Sequence, residues 1–156
     1  MPKRWIGLII SSAKVIIVDA EIPNSGPIVI QADDSWPLQQ GDRAPAYCVM
    51  HQRIADYVRE NKIDRVIIKA SALSTGSTKL GHLRSAELRG VVICAAAETT
   101  KTQLISKAHI SRTFGNRKVD EYIADNNFWS MKVVGEKLRV GSREAAMLLL
   151  AARKLQ

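Results

Sequence analysis

The sequence contains few cysteines, few aromatic residues and no long hydrophobic run, and each absence excludes a class of protein. The two cysteines, Cys48 and Cys94, have no CxxC spacing and are too few for a disulfide framework, so we interpret both as buried thiols in apolar helical segments. The three histidines are scattered, at His51, His82 and His109, and indicate no zinc site. Aromatic residues make up 5% of the chain, which disfavours a surface that stacks many single-stranded bases.

The lack of a long hydrophobic run excludes a membrane-spanning helix. The most apolar stretches, residues 91–97 and 145–152, are each shorter than ten residues, whereas a helix needs about 20 apolar residues to cross a bilayer. Residues 1–5 are positively charged but lead into no apolar stretch with a small-residue cleavage site, so no signal peptide is visible. We therefore expect a cytoplasmic protein, and the length predicts one domain over residues 1–156.

Positive charge is in excess, and it is concentrated in the middle of the chain. The whole sequence has 23 lysines and arginines against 15 acidic residues, a net charge of +8. Residues 61–119 contain eleven of the basic residues and three of the acidic ones, so this stretch accounts for the entire net charge. A basic middle on a neutral frame predicts a polyanionic partner, most simply a nucleic acid. The alternative is a solvated basic surface that keeps the protein soluble.

The first half of the chain predicts three strands and a helix. Residues 5–12 and 13–20 are apolar and rich in β-branched residues, and they meet at a short polar turn typical of a hairpin. Residues 28–30 predict a short third strand, and the polar, proline-containing stretch 32–45 predicts a loop. The apolar spacing of residues 46–61 predicts an amphipathic helix.

The second half alternates strands with helices. Residues 64–69 predict a strand whose uninterrupted apolar centre favours the middle of a mainly parallel sheet. A helix is predicted over 79–97, interrupted at Gly90, and Leu104 and Ile105 predict a fifth strand. Further helices are predicted over residues 108–113, 119–126 and 142–154, the last with Ser142 as its N-cap.

The resulting order, β-β-β-α-β-α-β-α, predicts an α/β fold. We expect a mixed five-stranded sheet whose first three strands are antiparallel, with helices on both faces. The last helix is apolar nearly all round, so it should pack against the sheet. This arrangement is similar to the architecture of the ribonuclease H-like superfamily.

Motifs in the second half resemble the RuvC-type Holliday-junction resolvases of that superfamily. The strand at 64–69 is followed by a helix with Leu80-Gly81-His82-Leu83-Arg84 and Arg89-Gly90, which resembles the glycine-containing helix of the family. Residues 102–115, with Lys107 and the basic turn 114–118, resemble its DNA-facing segment, and residues 141–152 resemble its last helix. The resemblance implies a RuvC-like fold, DNA binding and a homodimer.

The resemblance also implies where the metal-binding carboxylates of the family would fall. The family's chemistry needs three or four carboxylates that hold two divalent metals about 4 Å apart, and these metals activate a water and stabilise the leaving oxygen. The matching positions here are Ile9 in the first strand, Lys69 at the end of the fourth, and Ser142 and Ala145 in the last helix. If the register slips by one, the last pair is Gly141 and Glu144, which leaves Glu144 as a single remnant. We therefore expect a catalytically degenerate member of the family that binds no metal, because the ammonium of Lys69 repels cations.

Our first hypothesis is a non-catalytic nucleic-acid-binding protein that binds structured or duplex DNA, or RNA, through phosphates on a basic face. The candidate phosphate contacts are Lys69, Ser74, Thr75, Lys79, Arg84, Arg89, Lys107, Arg112, Arg117 and Lys118. Arg84 and Arg89 are five residues apart and do not share a helical face closely, so one can bind phosphate while the other is structural.

Two alternative functions compete with this hypothesis. The first is a protein–protein interaction module, an inactive subunit or inhibitor of a nuclease-containing assembly, whose basic surface meets an acidic protein. The second is an active magnesium-dependent junction endonuclease with a rearranged acidic site, built from Glu144 with Asp19 or Glu87. A salt-sensitive affinity for DNA separates the first alternative from our hypothesis, and metal-dependent cleavage of a four-way junction would establish the second.

Overall fold

The computed structural model describes residues 2–72, 76 and 79–156. Within these residues six strands form one sheet in the order β5-β4-β1-β2-β3-β6. The strands are β1 (Lys3–Ile10), β2 (Lys14–Ile22), β3 (Ile28–Pro37), β4 (Arg65–Lys69), β5 (Lys101–Ile105) and β6 (Val133–Gly135). The first three strands are antiparallel neighbours, whereas β4 is parallel to β1, β5 to β4 and β6 to β3. The predicted mixed sheet is confirmed, with six strands rather than five.

Helices cover both faces of this sheet, as the element order predicts. They are α1 (Arg43–Glu60), α2 (Leu80–Ala97), α3 (Lys107–Phe114), α4 (Val119–Ala124), α5 (Asn126–Lys132) and α6 (Arg143–Lys154). Alternate residues of β1 serve the two faces: Ile6 and Leu8 pack with α1 and α2, whereas Trp5 packs with α6 and the helices beside it. Each face therefore has its own buried apolar cluster, with the sheet between them.

Helix α6 packs directly on the centre of the sheet. Its residues 145–152 are all buried, which confirms that this helix packs on the sheet. Gly7 of β1 makes the close approach possible, because a Cβ added there would lie 2.3 Å from the carbonyl oxygen of Ala145. The missing side chain at Gly7 thus sets the distance between the central strand and the start of α6.

Two predictions for the first half are wrong in extent. β3 continues to Pro37 rather than ending at residue 30, because it pairs with β2 along its whole length, as far as Lys14 opposite Pro37. This pairing gives the polar residues of the predicted loop a strand conformation. α1 begins at Arg43 rather than Ala46, because the side chain of Asp42 accepts a hydrogen bond from the Ala44 backbone N–H.

Several predictions for the second half are also wrong in detail. α2 passes through Gly90 without a break, since Leu88 and Val92 on either side are buried against the sheet. The third helix begins one residue earlier than expected, and α5 and β6 are elements that the sequence pattern does not predict. β6 has three residues and exists only through its pairing with β3, so its own sequence contains too little alternation to identify it.

The prediction of buried thiols is wrong for both cysteines, which are exposed. The inward face of α1 includes Ala46 and Met50, and Cys48 lies two residues from each, about 200° around the helix. Cys94 has the same offset from buried Val92 on α2. None of the helices in the described ranges is long and apolar enough to cross a membrane.

Candidate functional site

The candidate site lies at the edge of the sheet where β1, β4 and β5 end, which we call the strand-end edge. These three strands are parallel neighbours, so their last residues, Ile10, Lys69 and Ile105, meet at one edge. The loops that leave β4 and β5 begin there, and α6 begins beside the same edge on one face of the sheet. Ile9, the position in the first strand where the resemblance places a metal-binding carboxylate, packs against the apolar cluster under α6. It offers no ligand atom.

An ion pair between Lys69 and Glu144 occupies the centre of this edge. The Lys69 Nζ contacts the Glu144 Oε1, with the two side chains 23% and 16% exposed. The Glu144 Oε1 has no hydrogen-bond partner among the described residues, so its interaction with Lys69 is an ion pair without a hydrogen bond. Glu144 lies in the first turn of α6, where the helix dipole also favours a carboxylate. The one carboxylate that the sequence places here is therefore already neutralised by a neighbouring cation.

The guanidinium of Arg89 ties the ends of two strands together. Its Nε donates to the Lys69 carbonyl oxygen at 3.0 Å, and its Nη2 donates to the Ile10 carbonyl oxygen at 3.3 Å. Its Nη1 donates to the Ser71 hydroxyl at 2.6 Å. Burial lowers the pKa of Arg89 from its ordinary value, but an arginine still carries its charge at neutral pH. A fixed positive charge thus links β1 to β4 at the position where they end.

A second arginine, Arg139, holds the segment that precedes α6 against β3. Arg139 donates to Asp33 on β3 through its backbone N–H at 2.8 Å, its Nε at 3.1 Å and its Nη2 at 2.8 Å. Burial opposes ionisation of Asp33, but the hydrogen bonds from Arg139 and Ser142 outweigh it and hold the pKa of this carboxyl below its usual value. Ser142 is the N-cap residue of α6, as predicted, but its hydroxyl makes no capping hydrogen bond and instead accepts one from the Arg139 Nη2 at 3.2 Å.

The positions where the resemblance places the family's metal-binding carboxylates form no set of metal ligands within the described ranges. Ser142 and Ala145 are buried, Ala145 under the sheet and Ser142 beside Arg139. Gly141, the other slipped-register position, has no ligand atom in its side chain. Among these positions only Glu144 has a carboxylate, and two divalent cations held there would be repelled by the ammonium of Lys69, at a cost on the order of several kcal/mol. The nearby carboxylate of Asp33 is already bound by the guanidinium of Arg139. The donor set at this edge therefore does not fit a two-metal centre.

The other acids considered for a rearranged site lie elsewhere. Asp19 on β2 is fully buried and accepts hydrogen bonds from Arg4 at 2.8 Å and 2.7 Å and from the Tyr57 hydroxyl at 2.5 Å. Its β1 partner is Ile6, near the start of that strand, so Asp19 lies away from the strand-end edge. Glu87 lies on α2 near the Tyr47 hydroxyl. Neither comes together with Glu144.

Exposed basic side chains surround the strand-end edge. Lys79 and Arg84 lie at the start of α2, whose first two turns are exposed, and Lys107 begins α3 directly after β5. Lys107 is 3.7 Å from Asp120, but both side chains are largely exposed, so this pair is weak. Lys79 and Arg84 make no side-chain hydrogen bond or ion pair with another described residue. These three cations are thus available to an anionic partner.

The remaining candidates are farther from this edge or bonded to the protein. Lys154 at the end of α6 donates to the Thr113 carbonyl oxygen, which places Arg112 towards the opposite end of α6. Arg117 donates to Asp125 at 2.9 Å and to the Glu121 carbonyl oxygen at 2.9 Å, and these contacts organise the turn between α3 and α5. Lys118 is exposed at the start of α4. The candidates Ser74 and Thr75 lie outside the described residues.

Comparison with solved structures identifies the fold. A Thermus thermophilus RuvC structure matches with a TM-score of 0.75 at 11% sequence identity, covering 97% of this chain and 95% of that one. The fold is that of the RuvC-type resolvases. A second structure, T. thermophilus RuvC in complex with a Holliday junction substrate, matches this chain with a TM-score of 0.73 at 10% identity, covering 98% of this chain and 94% of that one.

A eukaryotic structure has the same RuvC-type fold. The yeast mitochondrial Holliday junction resolvase matches with a TM-score of 0.62 at 10% identity, covering 97% of this chain and 79% of that one. The resemblance read from the second-half motifs is thereby confirmed for the fold. No known family profile matches the sequence, and no curated protein sequence matches it either.

Proposed function

We propose that this chain is a nucleic-acid-binding protein that uses a RuvC-type fold without metal-dependent cleavage. The observation that carries the proposal is the charge at the strand-end edge. Lys69, Glu144 and Arg89 together have a net charge of +1 there, on a fold whose nuclease chemistry needs several negative charges at the same place. Such an edge attracts phosphate and repels a divalent cation.

The exposed cations around this edge supply the contacts to the partner. Lys79, Arg84 and Lys107 lie at the starts of the two helices that leave it, and each can neutralise one phosphate. Contacts of this kind fix position but read little sequence, so the partner is recognised by its charge and shape. One solved structure with this fold is a complex with a Holliday junction substrate and another is a Holliday junction resolvase, which makes branched DNA the first substrate to test.

A matched pair of charge reversals tests the surface. Lys107 follows the end of β5, whereas Lys101 is exposed at its beginning, about 13 Å along the strand from its last residue, Ile105. Lys107→Glu and Lys101→Glu change the net charge equally. We expect Lys107→Glu to weaken binding to a fluorescent four-way junction by tenfold or more and to reduce the slope of log affinity against log salt by about 1. Lys101→Glu should leave the slope nearly unchanged.

Two results would contradict this placement. Equal weakening by both variants would mean that only the net charge matters and that no particular surface binds. No binding of the unmodified protein to junction, duplex or single-stranded DNA or RNA at low salt would end the nucleic-acid proposal. The protein–protein module would then be the function to pursue.

We also propose that the chain forms a homodimer through the start of α2. Leu80 and Leu83 are 58% and 53% exposed, one turn apart, on the part of the helix that extends beyond the sheet. Apolar side chains at this spacing form a stripe that a second copy can cover. Light scattering should give about twice the mass of the chain, and Leu83→Glu should reduce it to that of a monomer. A monomeric unmodified protein would refute the dimer.

A further inference from the structure

Three potential metal ligands meet on the outer surface of the α1–α2 pair. His51 lies in the middle of α1, and Cys94 and Glu98 lie one turn apart at the end of α2. Their ligand atoms all lie within 4.8 Å of one another. The His51 Nε2 is 3.5 Å from the Glu98 Oε2, and the Cys94 Sγ is 3.6 Å from the Glu98 Oε1. We call these three residues the helix-pair cluster.

The packing of the two helices holds this cluster in place. Buried Met50 precedes His51 on α1, and buried Ala95 and Ala96 follow Cys94 on α2, so His51 and Cys94 are each next to a residue fixed in the apolar cluster of that face. Cys94 and Glu98 share one side of α2 because they are four residues apart. The cluster is therefore formed by the fold, without any rearrangement of the backbone.

The distances fit a tetrahedral metal ion. Bonds of about 2.0–2.3 Å to nitrogen, oxygen and sulfur give distances of about 3.3–3.8 Å between neighbouring ligands of a tetrahedron. The two separations involve different oxygens of Glu98, and both fall inside that range. With one oxygen of Glu98, the three ligand atoms lie within 4.8 Å of one another, so a small side-chain adjustment brings them to a shared ion. His51 and Glu98 are 31% and 57% exposed, so solvent can reach the cluster and water can supply the fourth ligand.

We propose that the helix-pair cluster is a binding site for a zinc ion. A thiolate, an imidazole and a carboxylate form a mixed sulfur, nitrogen and oxygen set, which suits Zn²⁺ and is unsuitable for Mg²⁺, an ion that prefers oxygen ligands alone. The site joins α1 to α2 on the face opposite α6. It is separate from the strand-end edge and does not depend on whether the chain binds or cleaves nucleic acid.

Metal titration of the full-length chain tests the site directly. After treatment with a chelator and a reductant, one equivalent of Co²⁺ should produce the thiolate-to-cobalt absorption band and the visible bands of tetrahedral cobalt, and one equivalent of Zn²⁺ should remove them. Zn²⁺ at a hundredfold excess over its dissociation constant should raise the melting temperature by about 5–10 °C. Mg²⁺ at the same concentration should raise it by less than a fifth of that amount.

Variants identify the ligands. Cys94→Ser and His51→Ala should each lose the cobalt bands and weaken Zn²⁺ binding at least tenfold, and Glu98→Gln should weaken it less. Cys48→Ser is the matched control, because Cys48 is also exposed on α1 but is not part of the cluster, and it should bind Zn²⁺ like the unmodified chain. All four positions are on the outer faces of the helices, and unchanged circular dichroism without metal will show that each variant folds.

Three outcomes would overturn the site. One is no stoichiometric binding of Co²⁺ or Zn²⁺ by the reduced, folded protein. Another is loss of the cobalt bands in Cys48→Ser, which would show that the thiolate ligand is Cys48 and not Cys94. The third is unchanged Zn²⁺ binding in Cys94→Ser, which would show that Cys94 is not a ligand. The contact between His51 and Glu98 would then be an ordinary surface ion pair.

Discussion

Replacement of Arg89 by methionine tests how the strand-end edge is held together. Arg89→Met keeps most of the apolar stem but removes the guanidinium, which donates to the Lys69 and Ile10 carbonyl oxygens and to the Ser71 hydroxyl. A hydrogen bond with one charged partner contributes about 1.5–3 kcal/mol. The Ile10 bond is long, the Ser71 bond is exposed, and the arginine loses part of its hydration on burial. We therefore expect a total loss of about 2–3 kcal/mol in the free energy of unfolding.

Equilibrium unfolding in urea, followed by circular dichroism at pH 7, measures this loss. Arg84→Met is the control, because Arg84 is on the same helix but exposed, and its replacement should change the free energy of unfolding by less than about 0.5 kcal/mol. In thermal unfolding the loss for Arg89→Met should appear as a fall in melting temperature of about 4–12 °C. A loss below about 0.5 kcal/mol, or equal to that of the control, would refute the idea that Arg89 holds the two strand ends.

The same two variants should have the opposite order of effect on binding. Arg84 is an exposed cation near the strand-end edge, so Arg84→Met should remove one phosphate contact and reduce the salt slope by about 1. Arg89 already donates to protein acceptors through all three of its nitrogens, so Arg89→Met removes the net positive charge of the strand-end edge but no direct phosphate contact. We therefore expect it to reduce the slope less than Arg84→Met does, when both variants are measured where they are folded. A larger change of slope in Arg89→Met would place the phosphate on Arg89 instead.

Two further changes test the packing around the start of α6. Gly7→Ala should destabilise the protein by about 3 kcal/mol or more, because the new Cβ meets the backbone carbonyl of Ala145. The control, Gly90→Ala in α2, places a Cβ that meets nothing within 4 Å and should stabilise the protein by about 0.5–1 kcal/mol. Similar urea midpoints for the two variants would contradict the close approach of α6 to Gly7. Asp33→Asn should cost about 1–2 kcal/mol at pH 7, discounted because Arg139 is half-exposed. The folded-state pKa of Asp33 is lowered, so its stabilising contribution is fully present above the ordinary pKa of the carboxyl and is lost as the pH falls through the lower folded-state value. A difference in the free energy of unfolding between the two proteins that does not shrink as the pH is lowered would refute the sign.

The parts of the fold that the sequence predicts are those that local pattern determines. The β1–β2 hairpin, the buried central strand β4 and the apolar helix α6 each have a periodicity or turn that identifies them, and all three are confirmed. β6 and the second half of β3 are strands only because a neighbour pairs with them, so no local pattern marks them. Pairing between distant segments is the information that a single sequence does not display.

The same division applies to the candidate site. The lack of carboxylates at the expected positions is visible from residue identities, and so is the excess of basic residues in the middle of the chain. The pairing of Asp33 with Arg139 joins residues 106 positions apart, and the contact of Arg89 with both strand ends depends on where α2 crosses the sheet. The sequence analysis missed the helix-pair cluster for the same reason. Its one local signal is the spacing of Cys94 and Glu98, four residues apart on a helix, and His51 comes from another element.

Incubation of the protein with a labelled four-way junction, at low and at moderate salt and with and without Mg²⁺ or Mn²⁺, tests the central claim most directly. Binding and cleavage are read from the same samples, on native and denaturing gels. We predict tight, salt-sensitive binding that is independent of the metal and leaves every strand intact. Metal-dependent cleavage that is abolished by Glu144→Gln would contradict the account, because it would show that the carboxylate paired with Lys69 still serves a nuclease.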